Sequence, residues 1–339
     1  MKKLFVFLLT LLLIIGSMAG CGQSAPLDTS ENDNPEQTNS GQKIVIAWSA
    51  NFMSHEYYQR VRMGMEQAAD KYGFEFISAD ANDDSGKQIS DCENLMTQNI
   101  TGLIISPVDS NALSNVIKMA NEKNIFVVTE SNYVDGVSTL VAIDNKLSGM
   151  ACGDWAGKEL LNRGVKGKVL ILGYPSYEDC RTLAEGFKDA LKATGAEYDL
   201  IDIDGGGFKE AALEKATDAL TANPDINVIF GINDDSTLGG VQAYINSGKD
   251  IKNLISITNG IEGDAACMAM MEDETLTAGN AVFPELVGQT CVEALFKEIQ
   301  GESLPEFYPS ITAIVTKDNL MEYYTKVGNE YNLNYDAVQ

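Results

Sequence analysis

Apolar and polar positions along the chain follow a regular order of strands and helices that begins at Lys43. The run from Ile44 to Trp48 is apolar throughout, which is typical of a buried parallel strand. Val61, Met65 and Ala68 then recur at helical spacing and predict an amphipathic helix over residues 55–72, ended by a glycine. The pattern continues with a strand over 74–79, a helix over 86–98, a strand over 102–106, a helix ending at 124 and a strand over 125–129. This alternation predicts an α/β protein in which helices cover both faces of a parallel sheet.

The second half of the chain repeats the spacing of the first. The same intervals of nine and sixteen residues separate two triplets: Gly64, Gly73 and Asp80, and later Gly186, Gly195 and Asp202. Each triplet is read as an amphipathic helix, a glycine stop and a strand that leads to aspartate. We therefore predict two similar α/β lobes, with a ligand cleft at the carboxyl ends of their strands.

The first twenty-one residues have the pattern of an export signal. Lys2 and Lys3 precede an apolar run over 4–15, and small residues then lead to Cys21. The run is too short to span a bilayer, and its flanks are those of a secretory signal. The segment before Cys21 resembles a lipobox, with Met18 where leucine is usual. It predicts a signal peptide over residues 1–20, cleavage before Cys21 and lipid on its thiol; the alternative is an ordinary signal peptide with an incidental cysteine.

Composition and net charge predict how the mature chain is anchored to a membrane. Residues 22–42 are almost all polar and predict a disordered tether, and no second run approaches the roughly 20 apolar residues of a membrane span. The net charge is −25 and becomes −27 without residues 1–20, which hold two lysines and no acid. Such a charge disfavours nucleic acid and anionic lipid as partners, so anchoring is expected to come from acyl chains. We expect an extracytoplasmic, lipid-anchored monomer.

Cysteine and histidine content excludes several kinds of chemistry. Five cysteines follow Cys21 at wide spacing, at positions 92, 152, 180, 267 and 291, with no C-x-x-C pair. They are interpreted mainly as small buried apolar residues, although one pair could still form outside the cytoplasm. His55 is the only histidine, which excludes a multi-histidine metal site, and no G-x-S-x-G or phosphate-binding glycine motif is present. We expect no metal, no cofactor and no enzymatic activity.

The residues that follow the predicted strands share a chemical character. They offer flat aromatic faces at Tyr57, Tyr58, Tyr177 and Phe208, and planar polar groups at Glu130, Arg181, Asn233 and Asn259. Aromatic faces stack on the C–H faces of a sugar ring, and amide, carboxylate and guanidinium groups pair with its hydroxyls. This set favours a neutral, hydroxyl-rich ligand. Each residue also has a structural alternative: inward packing for Tyr57 or Tyr58, a solvated position for Arg181, and a turn for Asn259.

The chain resembles the type 1 periplasmic binding proteins of the ribose- and galactose-binding branch, which supply ATP-binding-cassette sugar importers. The similarity covers residues 43–307, and its matching segments, which are specific when taken together, are Ile44–Gly73, Gly102–Glu130, Ala142–Asn145, Arg181–Phe187, Phe230–Gly239 and Leu276–Gly288. The resemblance implies two doubly wound parallel-sheet lobes joined by three crossover strands near Asp144, Val282 and Ile311. The implied N-terminal lobe is residues 43–145 plus 283–311, and the C-terminal lobe is residues 146–282 plus 312–339.

The same resemblance implies roles for the site residues. Tyr57 or Tyr58 and Phe208 correspond to stacking aromatics, Arg181 to a cleft arginine with Tyr177 beside it, and the remaining polar ligands fall on Glu130, Asn233 and Asn259. Glu130-Ser131 departs from a common Asp-Arg pair, and Asn259 replaces a common aspartate. The function implied is capture of a monosaccharide or related cyclic polyol for delivery to an ABC permease.

Several alternatives remain open at this point. The same cleft would suit a sensor that presents ligand to a membrane receptor or kinase, or a binder of nucleosides. A hydrolase would need Asp234 and Asp235 as paired carboxylates, but adjacent residues rarely flank a scissile bond at the required separation. A sugar-responsive repressor is excluded because a signal and an acidic tether occupy the place of its DNA-binding helices.

Overall fold

The computed structural model describes residues 43–338. The predicted signal peptide, Cys21 and the predicted tether lie outside these residues. The strands are β1 Val45–Ala50, β2 Glu75–Asp80, β3 Gly102–Ile105, β4 Phe126–Glu130, β5 Thr139–Ala142, β6 Gly167–Gly173, β7 Tyr198–Asp204, β8 Val228–Gly231, β9 Ile255–Gly260, β10 Ala278–Ala281, β11 Phe307–Pro309, β12 Ala313–Thr316, β13 Tyr324–Val327 and β14 Glu330–Leu333. The helices are α1 Glu56–Tyr72, α2 Ser85–Leu95, α3 Ser114–Glu122, α4 Asn145–Arg163, α5 Glu178–Ala193, α6 Lys209–Ala222, α7 Asp234–Asn246, α8 Asp264–Met271, α9 Pro284–Ile299 and α10 Leu320–Tyr323.

The strands form two six-stranded sheets of related order. The first runs β11-β5-β4-β3-β1-β2 and is parallel throughout. The second runs β12-β10-β9-β8-β6-β7 and is parallel except for the antiparallel edge strand β12. Strands β13 and β14 form a separate hairpin. The expected fold of two parallel-sheet α/β lobes is confirmed.

Alternation along the buried strands explains why helices cover both faces of each sheet. In β1, Ile46 and Trp48 pack with α1 and α9, whereas Ala47 faces the cluster formed with α2 and α3. In β6, Val169 and Ile171 pack with α4 and α5, whereas Leu170 and Leu172 face α6 and α7. Successive strand residues point to opposite faces, so a strand with apolar residues at every position needs a helical layer on each side.

The repeated glycines bring helices together in both lobes. A Cβ atom added at Gly64 of α1 would lie 1.9 Å from the carbonyl oxygen of Glu285 in α9. A Cβ atom added at Gly186 of α5 would lie 2.3 Å from the carbonyl oxygen of Lys146 in α4. Both distances are far below van der Waals contact, so only glycine permits these crossings. The spacing repeat in the sequence therefore corresponds to the same helix-pair packing in each lobe.

The chain passes between the two sheets at three places. It leaves the first sheet after β5 and enters α4, which packs on α5 and on strands β9 and β10 of the second sheet. It returns after β10 into α9, which packs on α1 and on strands β4 and β5. It passes again between β11 of the first sheet and β12 of the second. Among residues 43–338, no helix combines the length and apolar character that crossing a bilayer requires.

Candidate functional site

A cavity of about 180 Å³ lies between the two lobes at the carboxyl ends of their parallel strands. The lobe built on the first sheet lines it with Asn51, Phe52, His55, Tyr57, Tyr58, Asp83, Ser131, Asn132 and Ile143. The lobe built on the second sheet lines it with Asn145, Tyr174, Tyr177, Asp179, Cys180, Leu183, Gly207, Phe208, Ile232, Asn233, Asn259 and Glu262. Because each lobe supplies about half of the wall, a ligand here would contact both.

Aromatic side chains from both lobes meet across the cavity. The rings of Phe52 and Phe208 are 5.6 Å apart at 74°, an edge-to-face contact between loops of different lobes. Tyr57 and Tyr58 also pack edge to face, with ring centroids 5.0 Å apart. Phe208 keeps 39% of its surface exposed, so its ring is available to a bound molecule. These residues form an apolar wall with flat faces.

His55 is fixed at the start of α1 beside this wall. Its Nδ1 accepts a hydrogen bond from the backbone N–H of Tyr57 at 3.3 Å and so caps the helix. Burial lowers the pKa of His55 below its ordinary value, although Asp235 and Glu56 oppose the shift. The imidazole is therefore neutral at pH 7.

The structure places Glu130 beneath the cavity and not in its wall. Glu130 is fully buried, and its Oε1 accepts hydrogen bonds from Tyr57 Oη at 2.9 Å and from Ser131 Oγ at 3.0 Å. Ser131, with φ of 71°, turns the chain directly after β4 so that its own side chain reaches the cavity. Burial raises the pKa of the Glu130 carboxyl. Instead of the predicted direct contact with ligand, the structure shows Glu130 supporting Tyr57 through this hydrogen bond.

Among the described residues, five asparagines line the cavity, and three of them, Asn51, Asn233 and Asn259, differ in how many of their hydrogen-bonding groups are free. Asn233 caps α7 through Oδ1, which accepts from Ser236 N at 2.8 Å, and its Nδ2 donates to Gly207 O at 2.9 Å. Asn259 Oδ1 accepts from Asn280 Nδ2 at 2.9 Å, which leaves Asn259 Nδ2 without a hydrogen bond among the described residues. Asn51 donates to Tyr58 Oη at 2.8 Å, and its Oδ1 has no partner within residues 43–338. Of these three, Asn51 and Asn259 have free groups.

Three carboxylates line the cavity that sequence reasoning did not select: Asp83, Asp179 and Glu262. Tyr177 Oη, from the second-sheet lobe, donates to Asp83 Oδ1 of the other lobe at 2.6 Å. Asp179 lies in the first turn of α5, where its Oδ1 accepts from Cys180 N at 2.8 Å. Within the described chain, no group of three or more histidine, cysteine, aspartate or glutamate residues is arranged to hold a metal ion.

Arg181 does not line the cavity. Its side chain is exposed, and its guanidinium donates to the carbonyl oxygen of Pro175 at 2.6 Å. It borders a surface groove with Lys188 and Asp202. The cause is helical phase: Leu183 and Phe187 turn the apolar face of α5 toward the sheet, so Arg181 points away from it. The structure thus places Arg181 outside the cavity wall, and its contact with ligand stays a prediction. The predicted residues that the structure brings together in the wall are Tyr57, Tyr58, Tyr177, Phe208, Asn233 and Asn259.

The five cysteines within the described chain are unpaired in the structure. Cys92, Cys152, Cys267 and Cys291 are buried, as expected of small apolar residues. Cys180 is half-buried and lines the cavity, where burial and the neighbouring Asp179 raise the pKa of its thiol. A raised pKa keeps the thiol protonated and unreactive at neutral pH.

A cavity that lies between two parallel-sheet lobes and is walled by both is the arrangement of a two-lobed small-molecule-binding protein. Residues 46–303 match the periplasmic binding protein domain family. The chain belongs to this family, which confirms the resemblance found in the sequence.

Relatives and solved structures agree with this assignment. The ribose import binding protein of Bacillus subtilis is 31% identical over 309 residues, which cover 90% of this chain and 95% of that protein. The ribose import binding protein of Escherichia coli K12 is 28% identical, covering 82% of this chain and 93% of the other. An ABC transporter solute-binding protein of Mycobacterium smegmatis, solved with bound glycerol, superposes with a TM-score of 0.75 at 25% identity, covering 84% and 98% of the two chains.

Proposed function

We propose that this protein captures a monosaccharide or related cyclic polyol between its lobes and delivers it to an ABC permease. One observation carries the proposal: aromatic faces and free amide groups from both lobes converge on a single cavity. Apolar ring faces suit Phe208 and the tyrosines, and ring hydroxyls, which both donate and accept, suit Asn51 and Asn259. The ribose-binding relatives share nearly their whole length with this chain, which supports the same ligand class.

Closure of the lobes on ligand is the proposed source of affinity. We take residues 43–145 plus 283–311 as one lobe and residues 146–282 plus 312–339 as the other. The sheet membership of β11 and β12 supports the last boundary. Phe52–Phe208 and Asp83–Tyr177 would form as the lobes approach, so ligand would favour the closed state through contacts that the open state lacks. A permease would then distinguish the two states.

No catalytic step is assigned. Asp234, one of the two carboxylates considered for hydrolysis, is buried and accepts three hydrogen bonds, from Thr258 Oγ1 and from the backbone N–H groups of Ile261 and Glu262. These hydrogen bonds use its carboxylate to hold the segment over residues 258–262. Purified protein that hydrolysed glycosides would contradict this assignment.

A thermal-shift screen tests the ligand class. The full mature chain would be screened against pentoses, hexoses, cyclitols and nucleosides at equal concentration. Stabilisation follows RT ln(1 + [L]/Kd), so a bound compound at about 100 times its Kd raises stability by roughly 2.7 kcal/mol and stands apart from the rest. A response confined to nucleosides would overturn the sugar proposal.

Lipid attachment at Cys21 is proposed to hold the protein at the outer face of the cell membrane. The support comes from the sequence alone, from the lipobox-like segment that ends at Cys21, which lies outside the described residues. Cells that express the wild type and Cys21→Ser would be fractionated after labelling with a palmitate analogue. We expect label and membrane association only in the wild type; equal membrane association of both would contradict the anchor.

A further inference from the structure

The wall of the cavity contains acidic side chains that no lysine or arginine of the described wall balances. Asp83, Asp179 and Glu262 line it, and the described lining residues include no lysine or arginine. The one basic side chain in the wall, His55, is neutral at pH 7 because burial lowers its pKa. The carboxylates of the wall therefore face no positively charged side chain among its described residues.

Among these three acids, Glu262 gives the strongest indication of a ligand contact, because it is buried and its carboxyl group has no partner among the described residues. Only 7% of its surface is exposed, yet its carboxyl group makes no hydrogen bond or ion pair within residues 43–338. Its backbone is fixed by Asp234, so the side chain is directed into the cavity. Its carboxyl oxygens open onto the cavity, and a neutral ligand that covered them would remove their solvent without supplying a positive partner, which is costly for a carboxylate. A ligand group that pairs with it would remove this cost.

The nearest arginine cannot supply that partner. Arg60 of α1 lies 2.9 Å from Glu56, 2.9 Å from Glu285 and 3.6 Å from Asp264, so three acids already share its charge. Burial and the nearby Asp234, Asp235 and Glu56 raise the pKa of Glu262, and Arg60 offsets this only in part. The carboxyl group therefore remains available to a positive group brought by the ligand.

We propose that the bound molecule is a hydroxylated ring that carries a protonated amine, an amino sugar or amino cyclitol, and that Glu262 pairs with the ammonium group. This inference rests on the proposed function and narrows its ligand class. The amides Asn51 and Asn259 serve the hydroxyls, and the aromatic wall suits either a ring face or a cation. The net charge of −25 also favours the approach of a cation over that of an anion.

Matched ligand pairs test the inference. Titration calorimetry at pH 7.5 would compare D-glucosamine with D-glucose, D-galactosamine with D-galactose, and an amino-inositol with myo-inositol. We expect the amine of at least one pair to bind at least about tenfold more tightly than its neutral partner. Equal or tighter binding of the neutral partners would overturn the inference and leave the proposed function intact. Binding of putrescine alone, without any ring compound, would overturn both.

Two variants tie the effect to one carboxylate. Glu262→Gln keeps the shape of the side chain and removes its charge, so it should weaken binding of the amine at least about tenfold and change binding of the neutral partner little. Glu298→Gln is the matched control, because this half-buried glutamate on α9 bonds Ser138 at the opposite end of β5 from the cavity. Equal losses in the two variants, or no loss in Glu262→Gln, would overturn the role of Glu262.

A second measurement covers the case in which Glu262→Gln does not fold. Raising the pH removes the proton from the amine of the ligand, so the advantage of D-glucosamine over D-glucose in binding to the wild type should shrink from pH 6.5 to pH 9.5. Titration calorimetry at the two pH values measures the ratio of the two affinities. A ratio that falls as pH rises supports the pairing, and a ratio that stays constant or rises contradicts it.

Discussion

The carboxylate of Asp234 holds the backbone of Glu262, with its Oδ2 accepting from Glu262 N at 2.7 Å. Its Oδ1 accepts from Ile261 N and from Thr258 Oγ1, both at 2.9 Å. Ile261 has φ of 52°, a region that a β-branched residue rarely occupies. Tyr324 Oη donates to Ile261 O at 2.7 Å and fixes the same peptide from the other side. A buried acid at the start of α7 thus maintains a strained turn that places a second acid in the cavity.

Asp234→Asn should therefore destabilise the protein and weaken ligand binding together. The amide keeps one acceptor oxygen, but its NH₂ group would face a backbone N–H that loses its partner. Loss of hydrogen bonds to a charged group is worth about 1.5–3 kcal/mol, which should exceed the gain from removing a buried charge near Glu262. Chemical denaturation and calorimetry would measure the two effects. Asp235→Asn is the control, since Asp235 is only half-buried; equal effects would contradict the positioning role.

Arg181→Ala is expected to leave ligand affinity within about 0.5 kcal/mol of the wild type, as for substitutions at the surface. The guanidinium is exposed and bonds Pro175 O outside the cavity. Asn259→Ala should instead weaken binding by about 0.5–1.5 kcal/mol, because it removes a cavity amide with a free donor. Calorimetry with the tightest compound of the screen would compare them. A large loss in Arg181→Ala would show that the arginine enters the site when ligand binds.

The stability of the ligand-free protein should fall with rising pH through Glu262. Burial and the facing acids Asp234, Asp235 and Glu56 raise the pKa of Glu262, with Arg60 opposing. An unfolded glutamate loses its proton near pH 4.3, so above that pH the folded state holds the extra proton. The contribution is complete below about pH 4.3 and disappears as pH rises through the raised folded-state pKa.

The comparison of wild type and Glu262→Gln isolates this effect from the other buried acids. Melting temperatures would be measured without ligand between pH 4.5 and 8. Since glutamine has no proton to lose, the variant should gain stability relative to the wild type as pH rises. Parallel curves would show that Glu262 does not titrate in this range.

The alternation of strands and helices could be predicted from the sequence because buried parallel strands are apolar at every position and stand out from amphipathic helices. Asp109 shows where this reading was too coarse. Its carboxylate accepts from Asn111 N at 2.9 Å and begins a short 3₁₀ turn over Ser110–Leu113 before α3, where one continuous helix was predicted. Aspartate favours both outcomes, and only packing selects between them.

The site was predicted less completely because the position of a residue near the end of a strand does not determine the direction of its side chain. Glu130 is the last residue of β4 and lies beneath Tyr57, whereas Arg181 lies in the first turn of α5 and points outward because of the phase of that helix. Glu262 was not predicted because the strand continues to Gly260, beyond the position at which the sequence pattern ends it, so the loop that enters the cavity begins later in the chain. Its signal, an acid two residues after a strand-end glycine, becomes meaningful only when Asp234 is seen to hold that loop.

The helix crossing at Gly64 should tolerate no side chain. A Cβ atom there would meet the backbone carbonyl of Glu285 at 1.9 Å, and neither helix can yield locally because Gly288 of α9 approaches Val61 of α1 equally closely. Gly64→Ala should therefore destabilise the protein by at least about 1–3 kcal/mol, the usual range for overpacking. Gly86→Ala is the matched control, since this glycine lies in the first turn of α2 with only the Asp84 side chain nearby, and alanine favours helix there by up to about 1 kcal/mol. Urea denaturation would compare both variants with the wild type, and a stability of Gly64→Ala equal to that of Gly86→Ala would mean that the two helices separate without cost.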